Sequence, residues 1–536
     1  MFMDFIVGQN YVQALKCSES DLSILKAYLR LPVANAWFRM KKMGRKWDPK
    51  KRKMVGWDGM VSFFSLTTRK VPIGLWPHLK RHLIENEVKF SVTNRRHRLP
   101  ELTTRKLGSI ELYDEQFDAA NKWLRYGGSG IIWAAAGFGK TEVAAAVLNH
   151  LFDKKIIHRA LFVVNGLDLL KQGADRLSKR LNVKVSSIDS WDQSSNVIVA
   201  NIQQLVRRIQ NKDHNLLQVL ARMDILIYDE THHSRSDQTT VLMRYCPAKY
   251  RMGISARPFH TYDKNDLHTM KAEDAKVLSA IGPVVARVRA SKLIEQGKLS
   301  RPKIFLYPVP SLSDRELPFP VARKKLIIKN RLIHDVTRQC VLAASQAGET
   351  TLVVAGGSLE LGARIYMNLK DNFNVVNLHG GVEKDFREQS RQKMIKNKLD
   401  VAIASTIYDE GIDIPNLRQV ILVYGGLSAI KNEQRLGRGL RTKKGQDKAV
   451  IIDFFHYGNK HLQKHSMARL KQYLEEDAYE IFLVTDRFPK NVITLAGKDR
   501  VVETLPTKAL FTELATSKKG ITSSNETATA DGKTGV

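Results

Sequence analysis

The sequence predicts an α/β protein: two tandem lobes, each on a mostly parallel sheet, preceded by a small α+β domain. Three observations carry this. Strand-like apolar runs alternate with helical stretches in two blocks, about 106 to 305 and about 326 to 485. Between them Pro308, Pro310, Pro318 and Pro320 break the pattern, so 306–325 reads as a linker. A glycine loop, Ala134 to Thr141, joins an apolar run to a helix-like stretch in the first block only.

Residues 1–105 read as the small domain. Asp4–Val7 and Val12–Leu15 resemble short strands, and Ser20 stands where it can cap a helix near Leu22–Leu29. A basic run follows: Arg39, Lys41, Lys42, Arg45, Lys46, Lys50, Lys51, Arg52 and Lys53. Trp37, Phe38, Trp47 and Trp57 interleave with it, a mixture suited to phosphate contacts plus stacking on bases. Trp57 reads as core. A second basic knot spans Arg95 to Arg98. Over the chain, 86 Lys and Arg stand against 54 Asp and Glu, a net charge of +32. Such an excess points to a polyanionic partner, most simply nucleic acid.

In the first block (106–305) the strands are expected at Ile131–Trp133, Ala160–Val164, Val197–Ala200, Ile225–Tyr228 and Arg251–Ile254. Ligands of parallel sheets sit at the carboxyl ends of strands, and the glycine loop lies there. Gly137 and Gly139 let backbone N–H groups of Ala136, Gly137, Phe138 and Gly139 turn around phosphate oxygens, beside the N-terminus of the next helix. Lys140 can reach the β and γ phosphates, and the Thr141 hydroxyl can hold Mg²⁺. Downstream, Asp229 and Glu230 end another strand. Asp229 suits the metal, and Glu230 can orient and deprotonate an attacking water. Together these residues predict ATP hydrolysis with Mg²⁺.

In the second block (326–485) the strands are expected at Thr351–Ala355, Asn374–Leu378, Val401–Ala404, Val420–Val423 and Ala449–Asp453. Arg438 and Arg441 lie three apart, so on a helix they share a face and can grip transferring phosphate charge. Residues 486–536 read as an extension and a disordered tail, polar and small from about 512. Cys17, Cys246 and Cys340 show neither metal-ligand nor disulfide spacing, which fits a reducing compartment. No apolar run approaches a membrane span, and the N-terminus lacks a signal-like pattern. The expectation is a soluble protein.

The motifs in this order resemble the superfamily 2 helicases of the DExH group, which implies two RecA-like lobes. Gln116 resembles the glutamine that reads adenine. Ala134 to Thr141 fits the family's form of the loop, with Ala at its first position. Val163 to Gln172 resembles motif Ia, Asp229 to His232 motif II, and Ser255-Ala256-Arg257 motif III. His379-Gly380-Gly381 follows a strand. Thr406 with Gly411 and Asp413 resembles motif V, and Gln434 to Arg441 motif VI. The resemblance implies that Gln434, Arg438 and Arg441 close on ATP held by the first lobe. It also implies that Gln172, His379 and Thr406 meet nucleic acid, and that Gly411 and Asp413 help hold the nucleotide. Arg257 replaces the family threonine, and Asn165 the usual proline.

Shorter matches, Trp57 to Val61, Pro72 to Leu75, Leu293 to Gly297 and His465 to Tyr473, resemble the phage UvsW-type recombination helicases. The implied activity is an ATP-dependent DNA helicase or translocase that remodels branched DNA in replication, recombination or repair. The implied partner is single-stranded, duplex or branched DNA, with RNA possible and no membrane. A monomer or weak oligomer in the cytoplasm of a bacterial or phage-infected cell is expected. The alternatives are an RNA helicase, a translocase subunit of a restriction-type complex, and a non-catalytic nucleic-acid-binding protein with a relic motor.

Overall fold

A computed structural model describes residues 2–34, 36–48, 53–405, 417–426, 448–484 and 503–515. The chain divides into two compact units, Met1–Val288 and Arg289–Val536.

The first unit begins with a four-stranded sheet in the order Lys70–Pro72, Tyr11–Ala14, Phe2–Val7, Lys89–Asn94. Met3, Phe5 and Val7 alternate inward along the second-period pattern of a half-buried strand. Phe5 packs against Trp76 at 5.1 Å and Phe90 at 6.0 Å. The first helix, Glu19–Tyr28, is capped by Ser18 rather than Ser20. The Ser18 hydroxyl accepts from the Asp21 N–H, and the Asp21 carboxylate accepts from the Ser18 N–H. That reciprocal pair satisfies two orphan donors at once, which Ser20, already inside the first turn, cannot do.

This small domain is docked on the sheet that follows. The turn Ile73–Leu75 lies so close to the helix Ala272–Ile281 that a Cβ on Gly74 would overlap the Leu278 carbonyl. The Asn10 amide donates to the Ala248 carbonyl at 3.0 Å, and the His78 ring bonds the Asp263 carbonyl at 2.8 Å. The Tyr28 ring stacks on His82 and meets His268 edge-on.

The first large sheet has seven parallel strands, in the order Val185–Ser187, Val197–Asn201, Ala160–Val164, Ile225–Asp229, Tyr250–Ser255, Ser129–Ala134, Val284–Val288. Ala160–Val164, Val197–Asn201 and Tyr250–Ser255 are buried at every position, as helices on both faces require. All five expected strands are present. Val185–Ser187 and Val284–Val288 are additional, and both are edge strands with half-exposed positions.

In the second unit, eight described strands pair in parallel, in the order Val375–Leu378, Val401–Ser405, Thr351–Gly356, Gln419–Leu422, Lys448–Tyr457, Arg301–Pro310, Glu480–Val484, Glu503–Leu505. The stretch 306–325 is therefore not a linker. Its first part completes an interior strand of this sheet, and the helix Phe319–Arg323 follows. The prolines are accommodated by parity. The Ser311 N–H donates to the Tyr457 carbonyl, so odd-numbered N–H groups face Lys448–Tyr457. Pro308 and Pro310 turn their nitrogens to the other side, where pairing with Glu480–Val484 spans only Lys303 to Leu306.

Residues 503–515 also belong to this fold: the strand Glu503–Leu505 pairs at the sheet edge. Leu510 and Leu514 of the helix Thr507–Ala515 enter the core beside Val341 and Ile333. The expected extension is thus partly built into the lobe, and the expected tail beyond 515 lies outside the described residues.

A buried ion pair braces the second sheet. Arg469 donates to Asp453 at 2.8 and 3.0 Å and to the carbonyls of Gly426 and Phe454, and the Tyr473 hydroxyl donates to Asp453 at 2.7 Å. His456 lies beside it, fully buried, with neither ring nitrogen hydrogen-bonded among the described residues.

Two outcomes are expected. Gly74→Ala forces the Leu278 backbone aside and costs about 1–3 kcal/mol, read as a lower urea midpoint. Burial above all, then the charges of Arg469 and His465, pushes His456 down to about 3 from an ordinary 6.5. Above the ordinary value the ring is neutral in both states. As pH falls from about 6.5 toward 3 the unfolded chain takes a proton that the folded ring refuses, so stability is lost through that window. His456→Leu should narrow the difference between urea midpoints at about pH 7 and about pH 5.

Candidate active site

The glycine loop follows the strand Ser129–Ala134, and the helix Lys140–Asp153 follows the loop. Gly137 and Gly139 have φ of 85° and 80°, a region that side chains rarely adopt. Phe138 between them is fully buried and anchors the loop, its ring edge-on to Tyr113 at 5.8 Å. The Gln116 amide braces it from below. Its nitrogen donates to the Phe138 carbonyl at 2.8 Å, and its oxygen accepts from the Tyr113 N–H at 3.1 Å. Tyr113 donates its hydroxyl to the same carbonyl. A Cβ on Gly139 would overlap the Gln116 amide, so glycine is needed there for space as well as for φ.

The helix that follows has no side-chain cap. Asn201, Asp213, Asn330, Ser358 and Asn459 cap other helices with their side chains. Leaving the first N–H groups without a side-chain acceptor is what phosphate binding at a helix N-terminus requires. The Lys140 ammonium folds back onto the carbonyls of Ala134 and Ala135, each at 3.3 Å.

The acid pair lies one strand away. Tyr250–Ser255 separates Ser129–Ala134 from Ile225–Asp229, and the register is level: Trp133 faces Ser255, and Asp229 faces Ile254. Glu230 takes the left-handed backbone conformation, φ 49°, unusual for a side-chain-bearing residue. The turn is secured beneath it. Thr231 donates to the carbonyls of Tyr228 and Ile254, directly over Gly253, where a Cβ would lie 2.7 Å from the Thr231 hydroxyl. The Ser255 hydroxyl donates to Glu230 Oε2 at 3.2 Å, and His232 Nδ1 lies 3.3 Å from that hydroxyl and 3.5 Å from Glu230 Oε2.

Burial pushes the Asp229 carboxyl upward, and the adjacent Glu230 charge adds to it, while Lys140 opposes. Burial also disfavours the charged form of Glu230. There the His232 hydrogen bond and the Lys140 charge outweigh it and hold the carboxyl low. Lys140 thus acts on both acids, so the glycine loop and the acid pair form one electrostatic site. Glu230 stays ionised, as a group that accepts a proton from water must.

A divalent cation fits this donor set. The Asp229 carboxyl, pushed up by burial first and by the Glu230 charge second, is a buried acid that a cation would help to ionise, and Thr141 stands on the first turn of the helix. Among the described residues no group of three or more His, Cys, Asp or Glu could hold a metal. Mg²⁺ in general binds through one or two carboxylates plus substrate phosphates.

Asn165, in place of the expected proline, joins this site to its neighbours. Its Oδ1 accepts from Gln203 at 3.3 Å, and its Nδ2 lies 3.2 Å from His233 Nε2. The sequence marked Asn165 only as a departure from the usual proline and gave no signal for this bridging, nor for Arg469, whose bond to the Gly426 carbonyl holds the segment preceding 427–447. Arg257 is half-buried immediately after the strand Tyr250–Ser255. Gln172 lies on the helix Leu167–Ser178, and His379 ends Val375–Leu378, its Nδ1 accepting from the Gly381 N–H at 3.2 Å. Thr406, Gly411, Asp413, Gln434, Arg438 and Arg441 lie outside the described residues, as do Lys50, Lys51 and Arg52. Arg39, Lys41 and Lys42 occupy the helix Ala36–Met43; Arg45 and Lys46 lie on Arg45–Asp48, paired with Lys53–Gly56. Trp57 is half-buried, its indole N–H donating to the Met60 carbonyl at 2.7 Å.

Residues 109–260 match the family described as type III restriction enzyme, res subunit, and residues 331–443 match the helicase conserved C-terminal domain. The chain is 22% identical to putative helicase 22 of a Sulfolobus islandicus filamentous virus, over 66% of this chain and 65% of that protein. It is 26% identical to DNA 3'-5' translocase XPB2 of Sulfurisphaera tokodaii, over 65% of this chain and 82% of that one. The DNA-bound structure of the ATP-dependent Type ISP restriction-modification enzyme LlaBIII shares the fold. Its TM-score is 0.53 at 15% identity, over 80% of this chain and 34% of the other. The chain thus spans just under two thirds of the viral relative's length. Among the described residues no helix is long and apolar enough to cross a membrane.

Gln116→Ala removes the brace under the loop. Both ends of the amide are engaged by protein, so KM should rise together for ATP and GTP, by about tenfold. A loss confined to ATP would instead place the amide on the adenine ring.

Proposed function

We propose that this chain, a superfamily 2 helicase by its two matched domains, is a DNA-stimulated ATPase that translocates on DNA and remodels branched structures. The observation that carries the ATPase is the single electrostatic site formed by Lys140, Asp229 and Glu230 at level strand ends. Lys140, freed from the Ala134 and Ala135 carbonyls, neutralises β/γ phosphate charge. Asp229 and Thr141 would hold Mg²⁺, which supplies charge neutralisation on the phosphates. Glu230, positioned by Ser255 and His232, orients the attacking water and takes its proton. Gln434, Arg438 and Arg441, which lie outside the described residues, are proposed to take part in hydrolysis.

DNA as the substrate is supported by the net charge of +32 and by the basic helix and hairpin of the N-terminal domain. The name of the archaeal DNA translocase points the same way. Contacts of this kind are chiefly to phosphate and carry little sequence preference. Branched substrates are proposed because that domain is locked onto the first lobe and offers a second nucleic-acid surface in the frame of the ATP site. The short UvsW-type matches support the same reading.

The test is steady-state ATP hydrolysis on single-stranded, duplex, forked and four-way DNA and on RNA of matched length. Branched DNA should stimulate most, and Lys140→Ala should fall to the background rate. Equal or greater stimulation by RNA would favour an RNA helicase. No stimulation by any nucleic acid would leave a binding protein with a relic motor.

A further inference from the structure

Two neighbouring aromatic side chains face water on the helix Ala36–Met43. Trp37 is 61% exposed and Phe38 68%, and their rings meet edge to face at 5.0 Å. The helix is seated by another side. A Cβ on Gly59, whose φ of 79° makes the turn, would lie 2.9 Å from Ala36 Cβ and 3.9 Å from Met40 Sδ. Ala36 and Met40, four apart, therefore sit over that turn. Trp37 and Phe38 are rotated about 100° and 200° from Ala36, away from the seat.

The sequence around them is strongly basic. Arg39, Lys41 and Lys42 share the helix, Arg45 and Lys46 occupy the next strand, and Lys53 its antiparallel partner. No acidic residue occurs from Ala36 to Trp47. An exposed apolar pair amid like charge does not suit an ordinary protein partner, whose interface core is depleted of charge. It does suit an unpaired nucleotide, with cations for phosphates and ring faces for the base.

We propose that Trp37 and Phe38 form a stacking platform for an unpaired base at a DNA end or branch point. This rests on the reading of the chain as a DNA motor. Stacking accepts any base, so the platform distinguishes unpaired from paired nucleotides without reading sequence. The helix and the glycine loop belong to one compact unit, within which Gly74 packs against the helix Ala272–Ile281.

The experiment uses the full chain and forked DNA carrying 2-aminopurine at the first unpaired position. The double variant Trp37→Ala/Phe38→Ala should weaken fork binding about tenfold and lose the fluorescence change seen with the wild type. Blunt-duplex affinity and the slope of log affinity against log salt should be unchanged, since no phosphate contact is removed. Trp37→Phe/Phe38→Tyr should restore both fork readouts. Unaltered fork affinity and fluorescence in the double variant would overturn the proposal. So would a lowered thermal midpoint, which would make the pair structural. Concentration-dependent self-association of the wild type, lost in the variant with fork binding intact, would overturn it in favour of a second copy. Failure of the motor reading shows separately, as wild-type ATP hydrolysis that no DNA stimulates.

Discussion

Two carboxylates side by side at the end of a buried strand set the terms for everything around them. Burial disfavours both charges, and each disfavours the other. The structure resolves this asymmetrically: Asp229 is pushed toward its protonated form, while His232 and Lys140 hold Glu230 ionised. Holding Glu230 there needs a backbone in the left-handed region, a Thr231 hydroxyl tied to two carbonyls, and a glycine beneath it at 253. The lysine must come from a loop one strand away, and that loop needs two positive-φ glycines and the Gln116 brace. Strand order and register follow, since only level ends of Ser129–Ala134 and Ile225–Asp229 let one cation act on both acids.

The segment after Ser255 extends this constraint to the N-terminal domain. His260 and Thr261 donate backbone N–H groups to the fully buried Asp274 at 2.9 Å each. Two residues on, the Asp263 carbonyl bonds the buried His78 ring, and His268 meets Tyr28. Burial, against the pull of Asp263 and Asp266, lowers the proton affinity of His78, so the contact is made by a neutral imidazole. The strand that supplies Ser255 to Glu230 thus leads, within a dozen residues, to the seat of the basic domain. This loop is thus tied to the N-terminal domain by the hydrogen bond at Asp263 and the ring contact at His268.

Legibility from sequence tracked how local each signal was. The expected strands Ile131–Trp133, Ala160–Val164, Val197–Ala200 and Ile225–Tyr228 are continuous apolar runs, and Arg251–Ile254 formed with its arginine buried. Val185–Ser187 and Val284–Val288 escaped because these edge strands carry half-exposed residues and at most a short apolar run. Residues 306–325 misread as a linker because proline density is a local breaker signal. The parity that lets Pro308 and Pro310 sit in a strand depends on where Glu480–Val484 stops pairing, a fact about residues far away in sequence. Ser18 was missed for Ser20 because the cap is decided by Asp21 reaching back. At the site, the types and spacing of Lys140, Asp229 and Glu230 were legible from chemistry alone. The Gln116 brace and the Asn165 bridge were not: the first depends on how the helix Asp114–Arg125 packs under the loop, the second on which strand lies beside which.

The buried pair in the second lobe argues for position over stability. Taking a guanidinium and a carboxylate fully out of water costs several kcal/mol per ion, and apolar replacements often do as well or better. Arg469 and Asp453 are each 2% exposed, so that cost is incurred in full. An apolar pair of the same volume would lack the donors that Arg469 sends to the Gly426 and Phe454 carbonyls. His465 adds a bond of 3.3 Å to the adjacent Gly425 carbonyl, so two residues of one helix hold consecutive carbonyls. Gly425 needs its glycine for φ 61°, and a Cβ there would lie 2.5 Å from Ile327 Cδ1. A guanidinium locked by several hydrogen bonds fixes the place of Gly425 and Gly426 in a way that apolar packing, which tolerates repacking, does not.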